Sequence, residues 1–255
     1  MAVLNESDYK TIYNVPECAG ITNFDTSASN TLANYNKIAD WINSDETLSQ
    51  LFTATVTTVS PSSRYRLDIL TSTGAGMVYG YRAWTNNASD GDHTSKSYRY
   101  ANTSSANTSI TDVSESIPLS YLNLMLIKSK HGFIADLFNS TQADRRYSIR
   151  LVHTTGIDDS GEVKDITMFG FGDYFNTIVT PFVWSAAVGY LENNSASNKT
   201  GLFTLMVPGR DIICENVKLC VGRIIDNQTF FEAGGKTWCC AAYDAAYKGL
   251  ALCIE

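Results

Sequence analysis

The sequence predicts a mainly β protein: an antiparallel β-sandwich or barrel-like domain with an N-terminal arm and one amphipathic helix. Many short segments are rich in β-branched residues or alternate apolar with polar residues, which is typical of strands. Turn-forming residues separate these segments at the spacing of about 8–12 residues seen in sandwiches and barrels. Only one segment has a clear helical period. The 255 residues suffice for one large β domain or two small ones.

The chain is divided by pattern into three parts. Residues 1–28 have no clear period, which favours an extended N-terminal arm. Residues 29–52 are expected to be helical, because apolar side chains recur there at spacings of three and four. Residues 53–255 form the predicted β-rich body, and any subdivision of it is expected near 155–161 or 193–200. The helical face consists of Leu32, Tyr35, Ile38, Ala39 and Ile42.

A tight hairpin is predicted at Gly234-Gly235, because two glycines supply the positive φ angles of a two-residue turn. The following Lys236-Thr237 also gives this segment a likeness to the end of a phosphate-binding loop. That loop needs a glycine at the position that Phe230 occupies, and a helix must follow it. The hairpin is therefore the better interpretation. It pairs Ala233 with Lys236, Glu232 with Thr237, and Phe231 with Trp238.

Composition excludes several functional classes. The formal net charge is −7, which disfavours a broad basic face for nucleic acid. No run of 18 apolar residues is present, so no membrane span is expected. The first ten residues have neither the basic nor the apolar region of a signal peptide, so we expect synthesis in a cytoplasm.

Five of the six cysteines lie between residue 214 and the end of the chain. Their spacing lacks the close pairs of structural zinc sites, adjacent strand residues point to opposite faces, and no histidine follows His153. Reduced packing and disulfides, including disulfides between subunits, remain open. Strand alternation places Cys220 and Cys253 on the less apolar faces, where they are the first candidates to meet a neighbouring layer or subunit. The full candidate set is Cys214, Cys220, Cys239, Cys240 and Cys253.

Aromatic residues in polar surroundings form a second candidate set. Trp84, Tyr98 and Tyr100 flank or lie within a Ser/Thr/Asn-rich stretch, and such aromatics suit protein interfaces and sugar stacking. Half-buried strand residues would give the same pattern. We therefore expect a surface contact at these three residues or an ordinary sheet face.

No catalytic motif is present. The three histidines, His93, His131 and His153, have turn or strand-end settings, and neither G-x-S-x-G nor H-E-x-x-H occurs. We therefore expect no enzyme activity, no cofactor and no bound metal. A hydrolase whose site forms only in three dimensions is a lesser alternative.

The chain resembles structural proteins of tailed bacteriophage particles. The resemblance rests on the polar start, the Ser/Thr/Asn-rich β body, the segment 169–175 (FGFGDYF) and the terminal strands that end at Glu255. It implies a virion protein of the tail, neck, baseplate or decoration, made in the host cytoplasm. Its partners would be other copies of itself, other virion proteins and a host surface glycan or receptor, without direct contact to nucleic acid. The alternative is a carbohydrate- or receptor-binding β module, such as an adhesin or a capsid decoration.

Overall fold

The protein is mainly β, as predicted, with 51% of its residues in strands. The computed structural model describes residues 4–25, 28–59, 64–72, 77–84, 93–102, 108–140, 149–171, 183–192, 199–207, 212–221, 230–242 and 248–255.

Sixteen strands are present in the described residues. In chain order they are β1 Lys10–Asn14, β2 Thr53–Val59, β3 Arg64–Ser72, β4 Met77–Trp84, β5 His93–Asn102, β6 Thr108–Pro118, β7 Leu122–Ser129, β8 Gly132–Asn139, β9 Ile149–Ile157, β10 Val163–Phe171, β11 Val183–Glu192, β12 Lys199–Val207, β13 Ile212–Val221, β14 Phe230–Ala233, β15 Lys236–Ala242 and β16 Lys248–Cys253. The helices are α1 Val15–Cys18, α2 Ala28–Ser44 and α3 Leu48–Leu51, with 3-10 turns at Glu6–Asp8 and Leu119–Tyr121.

The strands form two sheets. The first has eleven strands, with the main order β1-β7-β8-β9-β13-β16-β15-β14; β10 pairs with β9, and β12 joins β11 to β13. The eight strands of the main order form a curled antiparallel sheet. The second sheet is the meander β2-β3-β4-β5-β6.

The chain divides into two compact units, residues 1–12, 125–137 and 142–255 in the first and residues 13–124 and 138–141 in the second. The subdivision expected near 155–161 differs from this division, because that segment is the turn of the β9–β10 hairpin within the first unit. Most of the other expected position, 193–200, lies outside the described residues.

The N-terminal segment differs from the extended arm that the sequence predicts for residues 1–28. Residues Lys10–Asn14 are a strand of the first sheet, and the Lys128 N–H donates a 2.9 Å hydrogen bond to the Tyr9 carbonyl. The Tyr9 ring meets Phe230 of β14 edge-on at 5.9 Å. Within the first unit, Tyr9, which precedes β1 at one end of the main strand order, therefore contacts β14 at the other end. This segment pairs with a strand that is distant in sequence, so its own residue pattern does not predict the pairing.

The predicted helix over 29–52 is realised as α2 and α3. The break falls at Asp45, whose Oδ1 accepts hydrogen bonds from the N–H groups of Thr47 and Leu48. In the second unit α2 packs on β2 and β3. Asn43 fastens it there, because its side chain both donates to the Ala54 carbonyl at 2.8 Å and accepts from the Ala54 N–H at 2.9 Å. The predicted helical face is buried at Tyr35, Ile38, Ala39 and Ile42 and half-buried at Leu32.

The predicted hairpin is confirmed. Gly234 and Gly235 have φ angles of 62° and 72°, and β14 and β15 pair in the predicted register. The Phe231 and Trp238 rings are nearly parallel, with centroids 6.5 Å apart. The Trp238 Nε1–H donates to the Ala233 carbonyl at 3.0 Å. The hairpin thus places Trp238 on one face of the first sheet.

Candidate interaction surfaces of the first unit

The cysteines of β15 point to opposite faces of the first sheet. Cys239 pairs with Leu252, whereas Cys240 pairs with Ala251. Both thiols are buried, as are those of Cys214 and Cys253, and all four are free; the remaining described free cysteine, Cys18, is exposed. The backbone of Cys220 pairs with Leu202 and Gly249, but its side chain lies outside the described residues.

Cys240 and Cys253 belong to one buried cluster with Phe231, Trp238 and Ala251. As strand alternation predicts, Cys253 and Leu252 lie on opposite faces of β16. However, Cys253 is fully buried, in one cluster with Trp238, its direct cross-strand neighbour. The Cys253 thiol also donates to the Glu255 carbonyl at 3.1 Å. A cross-link from this thiol to another subunit therefore requires local opening and stays a prediction, as do the subunit contacts expected at the other cysteines.

Burial controls the ionisation of these thiols. It raises the pKa of Cys214 and of Cys239 to about 12. Burial also raises the pKa of Cys253, against an opposing effect of the Lys236 charge. Because the thiolate is the form that attacks electrophiles and binds metals, these protonated thiols suit packing. Within the described ranges, no three His, Cys, Asp or Glu side chains are grouped to hold a metal ion.

Basic side chains surround the Trp238 side of this cluster. We use the term basic cluster for Lys130, His131, Lys218 and Lys236. The Lys218 Nζ lies 5.6 Å from the centroid of the Trp238 ring, a cation–π geometry. The Ser129 hydroxyl donates to the Cys253 carbonyl at 2.7 Å, which fastens the β7–β8 turn carrying Lys130 and His131 to the end of β16.

The pKa shifts in the basic cluster indicate that its side chains lie close to one another. Burial lowers the pKa of His131, and the charges of Lys130 and Lys236 lower it further. Burial likewise lowers the pKa of Lys218, and the charge of Lys236 lowers it further, whereas the charge of Glu215 opposes the shift. No carboxylate among the described side chains forms an ion pair with Lys130 or Lys236. The basic cluster is therefore a local concentration of positive charge on a chain whose net charge is −7.

A second surface is apolar. Val163 of β10 pairs directly with Ile157 of β9, and Ile157 pairs on its other side with Ile213 of β13. All three are exposed, at 63%, 36% and 40% respectively. Directly paired residues lie on the same face of a sheet. These three side chains, here called the aliphatic row, therefore form a contiguous exposed strip across three neighbouring strands.

Acidic residues flank the aliphatic row, and we call Asp159, Glu162 and Glu215 the acidic rim. Asp159 and Glu162 belong to the turn between Ile157 and Val163, and Glu215 follows on β13; all three are exposed. Asp158 shapes this turn. Its Oδ1 accepts from the Ser160 N–H at 3.0 Å and from the Glu162 N–H at 2.8 Å. The turn is thus held by its own hydrogen bonds while the acidic rim faces solvent.

The aliphatic row was not predicted from the sequence. Alternation indicates which residues of one strand share a face, but the pairing of β9 with β13 joins residues 56 positions apart. The acidic turn was visible as Asp158-Asp159-Ser160-Gly161, and its apolar neighbours on both sides were the available signal.

The predicted aromatic contact residues lie in the second sheet. Tyr98 pairs with Tyr81, Tyr100 pairs with Tyr79, and Trp84 pairs with Ser95. The side chains of Trp84, Tyr98 and Tyr100 lie outside the described residues, so their role as a contact surface stays a prediction.

No protein-family model matches the chain, and no curated protein matches it significantly. In the portion of the chain that the structure describes, none of the helices combines the length and apolar character needed to cross a bilayer.

Proposed function

We propose that this protein is a structural subunit of a larger assembly and acts through contacts between subunits. The aliphatic row is the observation that carries the proposal. Isolated exposed aliphatic residues are normal on a protein surface, whereas contiguous exposed apolar patches often mark interaction sites once they exceed a few hundred Å². Val163, Ile157 and Ile213 form a contiguous exposed strip on ordered, directly paired strands.

The free energy available from burying the aliphatic row is large enough to affect association. Complete burial of a Val or Ile side chain stabilises by about 1.5–3 kcal/mol. Because the three side chains are already partly covered, burying what remains exposed would contribute roughly 2–4 kcal/mol. This is more than a tenfold effect on a dissociation constant, for which each factor of ten corresponds to about 1.4 kcal/mol.

A tailed-phage virion is the assembly that we propose, in the tail, neck or baseplate. The resemblance of the polar, Ser/Thr/Asn-rich β body to such proteins supports this setting. Its low proportion of charged residues, 18%, is compatible with a surface that is largely covered by neighbours. In this setting the protein acts by position and contact.

Substitution of Val163 tests the proposal. Val163→Asp places a charge in the aliphatic row, and Val163→Thr keeps the shape with a much smaller loss of apolar surface. Both should fold, because Val163 is 63% exposed. We expect light scattering after size exclusion, together with negative-stain microscopy, to detect assemblies of the native chain and of Val163→Thr, and fewer or none of Val163→Asp. A native chain that stays monomeric at all concentrations and forms no particle would refute the proposal.

A carbohydrate- or receptor-binding module is the second candidate. The register that pairs Tyr98 with Tyr81 and Tyr100 with Tyr79 supports it, because adjacent aromatic residues provide stacking surfaces for sugars. Binding to a glycan array by the native chain, lost in Tyr98→Ala/Tyr100→Ala, would favour this candidate. Retention of glycan binding in that variant would exclude these tyrosines as the site.

A further inference from the structure

We propose that the basic cluster binds a tetrahedral oxyanion, the phosphate or sulfate group of a small ion or of an ester. In this proposal the direct donors are Lys130, His131 and Lys236, and Lys218 adds positive charge from beside Trp238. The inference goes beyond the proposed function, because it concerns a ligand and not the contact between subunits. Each of the two proposals can fail without the other.

Strand register brings two of the lysines to one face of the first sheet. Lys236 and Trp238 are two residues apart on β15, so they share that face at a backbone separation of about 7 Å. Lys218 of β13 pairs with Ala251 of β16, which pairs in turn with Cys240 of β15. From there the Lys218 Nζ reaches a point 5.6 Å from the centroid of the Trp238 ring. Both lysines are therefore neighbours of Trp238.

The β7–β8 turn brings the other two basic residues to the same place. The Ser129 hydroxyl donates to the Cys253 carbonyl at 2.7 Å and accepts from the His131 N–H at 3.1 Å. Cys253 is the direct cross-strand partner of Trp238. Lys130 and His131 are thus held beside the strand pair that carries Trp238, and three separate elements supply the basic cluster.

The chemistry of these donors suits an oxyanion. Burial lowers the pKa of His131, and the charges of Lys130 and Lys236 lower it further. Such an imidazole is neutral at pH 7 and still offers an N–H donor, while each lysine offers an ammonium group. Phosphate and sulfate supply the negative charge and the acceptor oxygens for charge-assisted hydrogen bonds to these donors. A bound oxyanion therefore relieves the repulsion among the positive groups.

Two carboxylates offset part of the positive charge. Glu215 opposes the lowering of the Lys218 pKa by burial and by Lys236, and the exposed Glu255 lies two residues beyond β16. Among the described side chains, neither carboxylate forms an ion pair with Lys130 or Lys236, so both ammonium groups are available to an external anion. The net charge of −7 acts against anions at long range, but salt screens it beyond about 8–10 Å. A single compact group in direct contact is therefore favoured over a long polyanion.

Nuclear magnetic resonance of the histidine side chains tests the site. Sulfate is titrated into the native chain at constant ionic strength, with chloride as the balancing ion. We expect the His131 signals to shift with a dissociation constant of about 1 mM or below, as for two or three charge-assisted hydrogen bonds. Bound sulfate should also raise the pKa of His131, because a nearby negative charge stabilises the imidazolium. His93, on β5 of the second sheet, is the internal reference. Sulfate that affects His131 no more than chloride does would overturn the proposal.

Neutral substitutions separate the site from a general effect of net charge. Lys236→Gln, Lys130→Gln and Lys128→Gln each make the chain one unit more negative, but the exposed Lys128 lies outside the basic cluster. The first two variants should weaken sulfate binding about tenfold, and Lys128→Gln should leave it within about twofold. Far-UV circular dichroism checks that all three are folded. Equal affinity in all three variants and the native chain would show that the cluster is not the site.

Esters distinguish the source of the oxyanion. Glucose 6-sulfate and glucose 6-phosphate carry the group on a sugar, and unmodified glucose is the control. Tighter binding of the esters than of the inorganic ions supports a site for a group carried on a larger molecule, and weaker binding supports a site for a free ion. Glucose that binds as well as its esters would contradict the role of the oxyanion. If the chain assembles but His131 does not respond, the oxyanion site is wrong and the assembly role survives; a monomeric chain whose His131 does respond refutes the assembly role alone.

Discussion

Truncation of Trp238 should be among the most destabilising substitutions in the first unit. It is only 2% exposed, stacks on Phe231, lies beneath the Lys218 ammonium and donates a 3.0 Å hydrogen bond to the Ala233 carbonyl. Trp238→Ala removes these three interactions and leaves a cavity, which typically costs about 3–5 kcal/mol. Since domains are stable by only about 5–15 kcal/mol, this change consumes much of the available stability.

Trp238→Phe isolates part of this effect. The ring stack is retained, but the indole N–H is lost and the Ala233 carbonyl loses its partner, so we expect a loss of about 1–2.5 kcal/mol. Urea unfolding followed by far-UV circular dichroism measures both variants without relying on tryptophan fluorescence. Trp41→Phe is the matched control, because Trp41 is only half-buried and a phenyl ring can keep its edge contact with Tyr13. A cost below about 1 kcal/mol for Trp238→Ala would refute this account of the terminal sheet.

Three further predictions concern close packing and burial. Gly132→Ala should be severely destabilising, because a Cβ there would clash with the His153 carbonyl and the backbone has φ 130°; thermal unfolding measures the loss, and a native melting temperature would contradict it. Both Cys239 and Cys253 are fully buried, but Cys239→Ser should cost more, about 1–3 kcal/mol, because Cys253→Ser can keep the hydrogen bond to the Glu255 carbonyl. Urea unfolding compares the two variants, and the reverse order would contradict the hydrogen-bond argument. The raised pKa of Cys214 means that the folded state holds its proton more tightly than the unfolded state. The stability that this protonated thiol contributes is fully present below about pH 9 and is lost as the pH rises towards about 12. Unfolding measured across this pH range should therefore show a falling free energy of unfolding, with a smaller fall in Cys214→Ala.

Local features of the fold were predictable because local chemistry determines them. The Gly234-Gly235 turn requires positive φ angles, and a two-residue turn fixes the register of the strands that it joins. The buried face of α2 follows from its spacing of three and four. The opposite orientation of Cys239 and Cys240 follows from strand alternation alone.

Long-range features could not be predicted in the same way. The sequence of Lys10–Asn14 predicts an arm, because its residue pattern does not indicate that it pairs with β7. On the less apolar face of β16, Ala251 and Cys253 are buried in a cluster with residues of other strands, including Trp238. The aliphatic row is not contiguous in sequence, so the surface that carries the proposed function appears only when the strands are paired.

Coverage of the aliphatic row in the assembled state is the most direct test of the central claim. Val163→Cys, introduced together with Cys18→Ser, places a thiol in the row while the described native thiols other than Cys18 are buried. The rate of maleimide labelling at residue 163, read by peptide mass spectrometry, is compared between the assembled protein and dilute, dissociated protein. We predict labelling at least about tenfold slower in the assembly, because closing the contact removes the row from solvent. Equal rates in the two states would contradict the claim that this row is where subunits meet.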